Sequence, residues 1–137
     1  MMASAMVCDM LPMVLVVDDL PTNLDVAIGL LGSEALDVRA ALSGEEALEL
    51  ARELEPDLIL LDVMMPGLSG FDVCRRLKCD PQLAHIPVIF LSALGDDAQT
   101  EQGYALGAKD YIQKPFLAAE LKRSIQNQLH LARVSGC

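Results

Sequence analysis

The chain has 137 residues, of which 53% are hydrophobic and 22% charged, so we expect one domain with a packed core rather than a disordered chain. The 10 basic residues against 20 acidic ones give a formal net charge of −10, which disfavours direct binding to nucleic acid. The apolar stretches are far too short to span a bilayer, so no membrane segment is predicted.

The N-terminal segment and the cysteines point to an intracellular domain without a leader signal. Residues 1–12 lack the basic segment of a signal peptide and are predicted to be a flexible leader. The 4 cysteines form no CxxC pair and are not spaced with the histidines as metal ligands. Cys74 lies on the apolar side of a predicted helix, so we expect a buried thiol and a cytoplasmic location.

The chain begins with a strand, a helix and a second strand. Met13–Val17 is an apolar run of strand length. A helix is predicted over Pro21–Leu31, because proline suits its first position and Gly32 is a typical stop. Leu36–Ala40 is predicted as the second strand.

The second helix has a recognisable beginning and end. Ser43 is predicted as its N-cap, and Glu46, three residues later, completes a capping-box pattern. The helix is expected to end before Pro56. Its predicted apolar face consists of Ala47, Leu50, Ala51 and Leu54.

Two further strands enclose a third helix. Leu58–Leu61 and Val88–Leu91 are apolar runs of strand length. Between them, the turn-rich residues 66–70 lead into a helix predicted over Phe71–Cys79. This helix is expected to bury Phe71, Cys74 and Leu77.

The last part of the chain repeats the alternation. A weak helix is predicted over Asp96–Leu106, a strand at Tyr111–Ile112 and a final helix from about Leu117 to Val134. Alternating strands and helices indicate an α/β fold with a parallel sheet. The apolar stripe of the final helix is longer than packing on a small sheet requires, which suggests a linker helix toward a further domain or the seam of a homodimer.

Polar residues stand where the apolar runs end: Asp18, Asp19, Asp62, Ser92 and Lys114. The carboxyl ends of parallel strands share one edge of the sheet, where open α/β sheets bind ligands. Each residue taken singly is more often a turn or cap residue. Their conjunction on four strands predicts one polar site.

Charge balance favours a divalent cation in this site. Two carboxylates about 5 Å apart repel by roughly 3 kcal/mol at an effective dielectric near 20. A divalent cation together with Lys114 would neutralise three carboxylates, and oxygen ligands favour Mg²⁺. Asp62 ends the central strand, so its carboxylate is the predicted nucleophile toward phosphorus, with Ser92 donating to the new phosphoryl group.

Four segments closely resemble the receiver domain of two-component response regulators: Val14–Asp19, Leu60–Gly67, Phe90–Ala93 and Gly107–Phe116. The resemblance covers about Met13 to Leu131, leaving residues 132–137 as a tail or the start of a linker. It implies a flavodoxin-like, doubly wound, five-stranded parallel sheet of order 2-1-3-4-5 in a three-layer sandwich. It also implies a sensor histidine kinase or histidine phosphotransfer protein as phosphodonor, and an output domain in a longer chain.

The resemblance further implies a role for individual residues. Asp62 would be the phosphoacceptor, and Mg²⁺ would be held by Asp19, Asp62 and the Met64 carbonyl, with Asp18 acting through water. Ser92 and Tyr111 would form the switch and Lys114 would contact the phosphate. Such a domain catalyses only its own phosphorylation and slow dephosphorylation.

Some alternatives and departures remain. A nucleotide-binding domain would need a phosphate-cradling loop where Asp18 and Asp19 stand, and an aspartate-nucleophile phosphatase would need an acid where Met64 stands. An interaction module that works without phosphorylation stays open. Leu20 replaces a residue that is often acidic in the family. Met64 and Leu94 cannot orient a water molecule, which predicts a long phosphoryl lifetime.

Overall fold

A computed structural model describes residues 11–32, 35–93, 105–114 and 118–136. Its strands are β1 (Met13–Val17), β2 (Asp37–Ala41), β3 (Leu58–Asp62), β4 (Val88–Ala93) and β5 (Asp110–Lys114). They form one parallel sheet in the order β2-β1-β3-β4-β5. The predicted fold class and strand order are therefore confirmed.

Helices cover both faces of this sheet. The helices of the described ranges are α1 (Pro21–Leu31), α2 (Gly44–Leu54), α3 (Gly70–Cys79) and α4 (Ala118–Gly136). The bounds of α1 agree with the prediction, whereas the weak helix expected over residues 96–106 lies almost entirely outside the described residues. Among the helices that the structure describes, none is both long and apolar enough to cross a bilayer.

Several strands differ in extent from the apolar runs that predicted them. β2 begins and ends one residue later than expected, and β4 and β5 continue into the polar residues that follow their apolar runs. The sheet also reaches slightly into the expected leader, because the Pro12 carbonyl accepts a hydrogen bond from the Asp37 amide at 2.8 Å. Backbone pairing, unlike hydrophobicity, does not stop at the first polar side chain.

The core has two layers because alternate residues of each strand point to opposite faces of the sheet. In β1, Leu15 and Val17 pack on the side of α2 and α3, while Val14 and Val16 pack on the side of α1 and α4. All four side chains are almost fully buried. This arrangement is the expected three-layer sandwich.

The predicted cap of α2 forms only in part. The Ser43 hydroxyl accepts a hydrogen bond from the Glu46 amide at 3.1 Å, as expected for an N-cap. The Glu46 carboxylate, however, accepts from the Leu42 amide at 2.9 Å rather than from Ser43. In a capping box the carboxylate accepts from the amide of the N-cap residue, whereas here the donor is the residue before the N-cap.

The buried face of α2 is rotated from the predicted one. Leu48 is buried, whereas Leu50 and Leu54 are only partly buried. The buried face includes Gly44, where an added Cβ atom would lie 2.7 Å from the Leu68 Cβ atom. The residues that face inward are Gly44, Ala47, Leu48 and Ala51.

The start of α3 carries a complete capping box that the sequence analysis missed. The Ser69 hydroxyl accepts from the Asp72 amide at 3.2 Å, and the Asp72 carboxylate accepts from the Ser69 amide at 3.0 Å. These hydrogen bonds from Ser69 hold the pKa of Asp72 below its ordinary value. The pattern Ser-x-x-Asp before an apolar run was the available signal.

The inner face of α3 agrees with the prediction. Phe71, Cys74 and Leu77 are all buried. Burial raises the pKa of the Cys74 thiol, as expected for an unreactive core cysteine. Nearby, the half-buried Lys78 ammonium donates to the Ala84 and Ile86 carbonyls at 3.1 and 3.0 Å, and burial lowers its pKa.

The last helix, α4, is joined to the sheet by both apolar and polar contacts. Leu121, Ile125 and Leu129 pack into the core layer shared with α1. The buried Ser124 hydroxyl donates to the Asp110 carboxylate at the beginning of β5. α4 is thereby attached to the edge strand of the sheet.

Candidate functional site

Three carboxylates meet at the carboxyl edge of the sheet. Val17 and Leu61 are partners in the β1–β3 pairing, so Asp18 and Asp62 leave the sheet side by side. Asp19 completes the group, and one carboxylate oxygen of each residue lies within 4.8 Å of the others. The structure thus brings together the three acidic residues that the sequence placed in one site.

Backbone hydrogen bonds hold two of these residues in place. The Asp18 amide donates to the Ala41 carbonyl of β2 at 3.2 Å, and the Asp18 carboxylate accepts from the Leu20 amide at 3.0 Å. Asp62 is the last residue of the central strand β3, and the next amide, that of Val63, donates to the Leu91 carbonyl at 3.0 Å. The turn and the sheet pairing therefore set the positions of both main chains.

The cluster fits a divalent cation. Asp18 and Asp62 are only 1% and 4% exposed, so water screens their mutual repulsion poorly. At 4.8 Å, two carboxylates repel by about 3 kcal/mol at an effective dielectric of 20. Carboxylate oxygens are hard ligands that suit Mg²⁺ or Ca²⁺ rather than soft metals.

Ser92 and Lys114 reach the same edge on the other side of β3. Leu91 is the partner of Asp62, so Ser92 stands one residue beyond it, and it is 1% exposed. Ser92 lies within β4 and not after the strand as predicted. Lys114 is the last residue of β5, and its side chain lies outside the description.

Tyr111 lies inside the layer formed with α2 and α3. Its ring packs against Phe90, with centroids 5.9 Å apart and planes inclined by 55°. Its hydroxyl oxygen is inaccessible to solvent although the residue is only partly buried. The ring is therefore turned inward, two residues along β4 and β5 from the level of Ser92.

The loop after β3 alternates between core and solvent. Val63 and Met65 are buried, whereas Met64 is 65% exposed. Leu20 and Leu42, which follow β1 and β2 at the same edge, are 51% and 47% exposed. Leu20, Leu42 and Met64 thus form an exposed apolar rim at the edge of the sheet that carries the carboxylates. The exposure of Leu42 was not predicted, because the exposure of a residue after a strand depends on the neighbouring helices.

The family model of the response regulator receiver domain matches residues 14–126. The chain therefore belongs to the response regulator receiver domain family and is a receiver domain of two-component signalling. The master transcriptional regulator RpaA of Synechocystis is 42% identical over 111 residues, which cover 81% of this chain and 46% of RpaA. The response regulator PleD of Caulobacter vibrioides is 45% identical over 102 residues, covering 74% of this chain and 22% of PleD.

Solved structures agree with this assignment. The signal receiver domain of a signal transduction histidine kinase from Syntrophus aciditrophicus superposes with a TM-score of 0.80 at 33% identity. The match covers 87% of this chain and 90% of that domain. The chain spans less than half the length of RpaA and PleD, so what those whole proteins do is not transferred to it directly.

Proposed function

We propose that Asp62 accepts a phosphoryl group from a phosphohistidine of a sensor histidine kinase or a histidine phosphotransfer protein, with Mg²⁺ held by the neighbouring carboxylates. The observation that carries this proposal is the cluster of Asp18, Asp19 and Asp62 within 4.8 Å at the end of the central strand. A cluster of three like charges, two of them buried, is the feature that the other readings of the fold leave unexplained.

Asp62 is the member of the cluster best placed to react. Asp62 ends the central strand β3, whereas Asp18 and Asp19 follow β1 on one side of it. Asp62 stands between β1 and β4, so a phosphoryl group on it would have Asp18 and Asp19 on one side and Ser92 on the other. We therefore assign the nucleophile to Asp62.

The transfer proceeds by displacement at phosphorus. An Asp62 carboxylate oxygen forms the new P–O bond as the P–N bond to the donor imidazole breaks, and the donor ring, which carries a proton on its other nitrogen, leaves as neutral imidazole. Asp19, Asp62 and the Met64 carbonyl would hold Mg²⁺, with Asp18 acting through water, and the bound ion would supply positive charge near the phosphoryl oxygens. The Ser92 hydroxyl and the Lys114 ammonium then donate to the phosphoryl group.

Phosphorylation would be read out by a population shift that involves Ser92 and Tyr111. Ser92 lies in β4 and Tyr111 in β5, on directly paired strands. Movement of Ser92 toward the phosphoryl group would favour the inward position of the Tyr111 ring.

The domain would span residues 13–131 and work in the cytoplasm, where its histidine-phosphorylated partners present the phosphoryl group. It would catalyse its own phosphorylation and slow dephosphorylation only. Because the matched relatives are longer, we propose an output domain in a longer chain, with a homodimer through the last helices as the alternative use of α4.

The test is phosphorylation by a small donor. The purified chain is incubated with acetyl phosphate and Mg²⁺, and intact-mass spectrometry is expected to show the gain of one phosphoryl group. Asp62→Asn should abolish the gain. Asp57→Asn is the matched control, because Asp57 precedes the same strand at the opposite edge, where its carboxylate accepts from the Met13 amide at 2.7 Å. No gain in the unmodified chain would contradict the proposal and favour a module that works without phosphorylation.

A further inference from the structure

The loop that follows the phosphoacceptor, residues 63–69, lies between the beginnings of two helices. The first residue of α3 is Gly70 and the first residue of α2 is Gly44. Neither glycine has a positive φ, so backbone conformation does not explain the choice of residue. Space does, because both glycines are in close contact with this loop or with Asp62 itself.

Gly70 lies directly on the peptide bond that follows Asp62. A Cβ atom at this position would come within 2.3 Å of the Asp62 carbonyl oxygen and 2.9 Å of the Val63 Cα atom. The Gly70 amide also donates to the Val63 carbonyl at 3.0 Å. Since the contacted atoms belong to the main chain, no side-chain rotation could relieve the contact.

Gly44 supports the same loop from the other side. A Cβ atom there would lie 2.7 Å from the Leu68 Cβ atom and 2.8 Å from the Val73 Cγ2 atom. These contacts are also too short, and Leu68 Cβ moves only with its main chain, whose carbonyl oxygen would lie 3.1 Å away. The loop is therefore confined between α2 and α3, most tightly where it leaves Asp62.

We infer that Gly70 and Gly44 are positioning residues for the phosphoacceptor site: they let two helices fix the main chain of Asp62 and of the following loop. The inference rests on the proposed function of Asp62. Mg²⁺ demands near-ideal octahedral geometry, and a displacement of a few tenths of an ångström at one ligand is enough to weaken its binding. A methyl group at either position would displace the ligands without removing any of them.

The test compares three glycine-to-alanine variants by their Mg²⁺ dissociation constants, measured by isothermal titration calorimetry on folded protein. Gly70→Ala should weaken Mg²⁺ binding by up to about 100-fold, and Gly44→Ala by about 10-fold, in the range observed when residues supporting metal ligands are changed. Gly29→Ala is the matched control, because a Cβ atom on this residue of α1 would meet nothing within 4 Å. Its dissociation constant should equal that of the unmodified chain.

Each outcome decides the inference. Circular dichroism and a cooperative urea transition establish that a variant is folded, and a folded Gly70→Ala protein with unchanged Mg²⁺ affinity would overturn the positioning role. If Gly70→Ala does not fold, the milder Gly44→Ala variant decides in the same way. A purely structural role would lower the unfolding midpoint and leave the dissociation constant unchanged. If the unmodified chain binds no Mg²⁺, the proposed function itself fails, which is a different result.

Discussion

Phe90 and Tyr111 face each other across neighbouring strands of the sheet. They are Cα partners in the pairing of β4 with β5, and their ring centroids are 5.9 Å apart. Phe71 of α3 also contacts Phe90, edge to face, with ring centroids 5.1 Å apart. The inward ring of Tyr111 thus completes a row of three aromatic side chains that links α3 to the edge strand.

Removal of this ring should destabilise the domain. Tyr111→Ala is expected to lower the free energy of unfolding by about 2–4 kcal/mol, because it removes buried area and an aromatic pair. Tyr111→Phe keeps the ring and should cost about 1 kcal/mol or less. Urea unfolding of both variants measures the difference. Equal losses would show that the hydroxyl group, rather than the ring contact with Phe90, stabilises the inward position.

Neutralisation of one carboxylate should stabilise the metal-free domain. Asp62→Asn removes repulsion from Asp18 and Asp19, so the free energy of unfolding without Mg²⁺ should rise by about 1–2 kcal/mol or more. Mg²⁺ at 100 times its dissociation constant should stabilise the unmodified chain by about 2.7 kcal/mol and the variant much less. Urea unfolding with EDTA or with Mg²⁺ gives both values, and Asp57→Asn, at the other end of β3, should show neither effect.

The lifetime of the phosphoryl group should depend on Met64. Its side chain is 65% exposed beside the phosphoacceptor and offers no hydrogen bond to a water molecule. Met64→Asn should accelerate phosphate loss by about tenfold, the effect of one additional hydrogen bond to the attacking water in the transition state. The decay of the phosphorylated mass over time measures this rate. Met64→Leu should decay like the unmodified chain, and an Asn variant that did so too would refute the account.

The capping box of α3 should make stability depend on acid pH. The pKa of Asp72 is lowered from its ordinary 3.8 by the hydrogen bonds from Ser69, so the stabilisation is present above that pH and is lost as the pH falls through the lower, folded value. Asp72→Ala removes the carboxylate and should be less stable than the unmodified chain at pH 7, whereas Ser69→Ala keeps the backbone hydrogen bond to Asp72 and removes only those of the hydroxyl group. Urea unfolding as a function of pH should show Asp72→Ala approach the unmodified chain in acid. A constant difference down to the lowest pH would exclude a contribution from Asp72.

The Asp37–Arg39 ion pair is the control for that experiment. The hydrogen bond from Arg39, at 2.8 Å, also holds the pKa of Asp37 below its ordinary value. The stabilisation by this ion pair is also lost as the pH falls, but the pair does not involve Ser69. Asp37→Asn, made in the unmodified chain and in Asp72→Ala, therefore separates the contributions of the two carboxylates to the pH dependence of stability.

The sequence predicted the sheet and the acidic site well because each depended on local patterns. β1 and β3 are apolar runs without interruption, and an acidic residue directly follows β1 and ends β3. Since parallel strands align their carboxyl ends, Asp18 and Asp62 were expected at one edge of the sheet, and the resemblance to receiver domains implied that β1 and β3 are neighbours. No distance had to be known.

Features that depend on contacts between elements were missed. The buried face of α2 includes Gly44, which lies against Leu68, and the sequence separation of these two residues carries no periodic signal. Gly70 was likewise predicted as part of a turn-rich loop, whereas it is the first residue of α3 and contacts the Asp62 main chain. The predicted β4 ended before Ser92 because Ser92 is polar, although the strand pairs with β5 through Ser92 and Ala93.

The length of α4 has a mechanical consequence. Its 19 residues span about 28 Å at 1.5 Å per residue, whereas β5, to which Ser124 ties it, spans about 16 Å. The helix continues about 18 Å beyond Ser124, so a tilt of about 10° around that attachment would carry its far end through roughly 3 Å. A small displacement of β5 at the edge of the sheet would thus become a larger displacement at the end of α4.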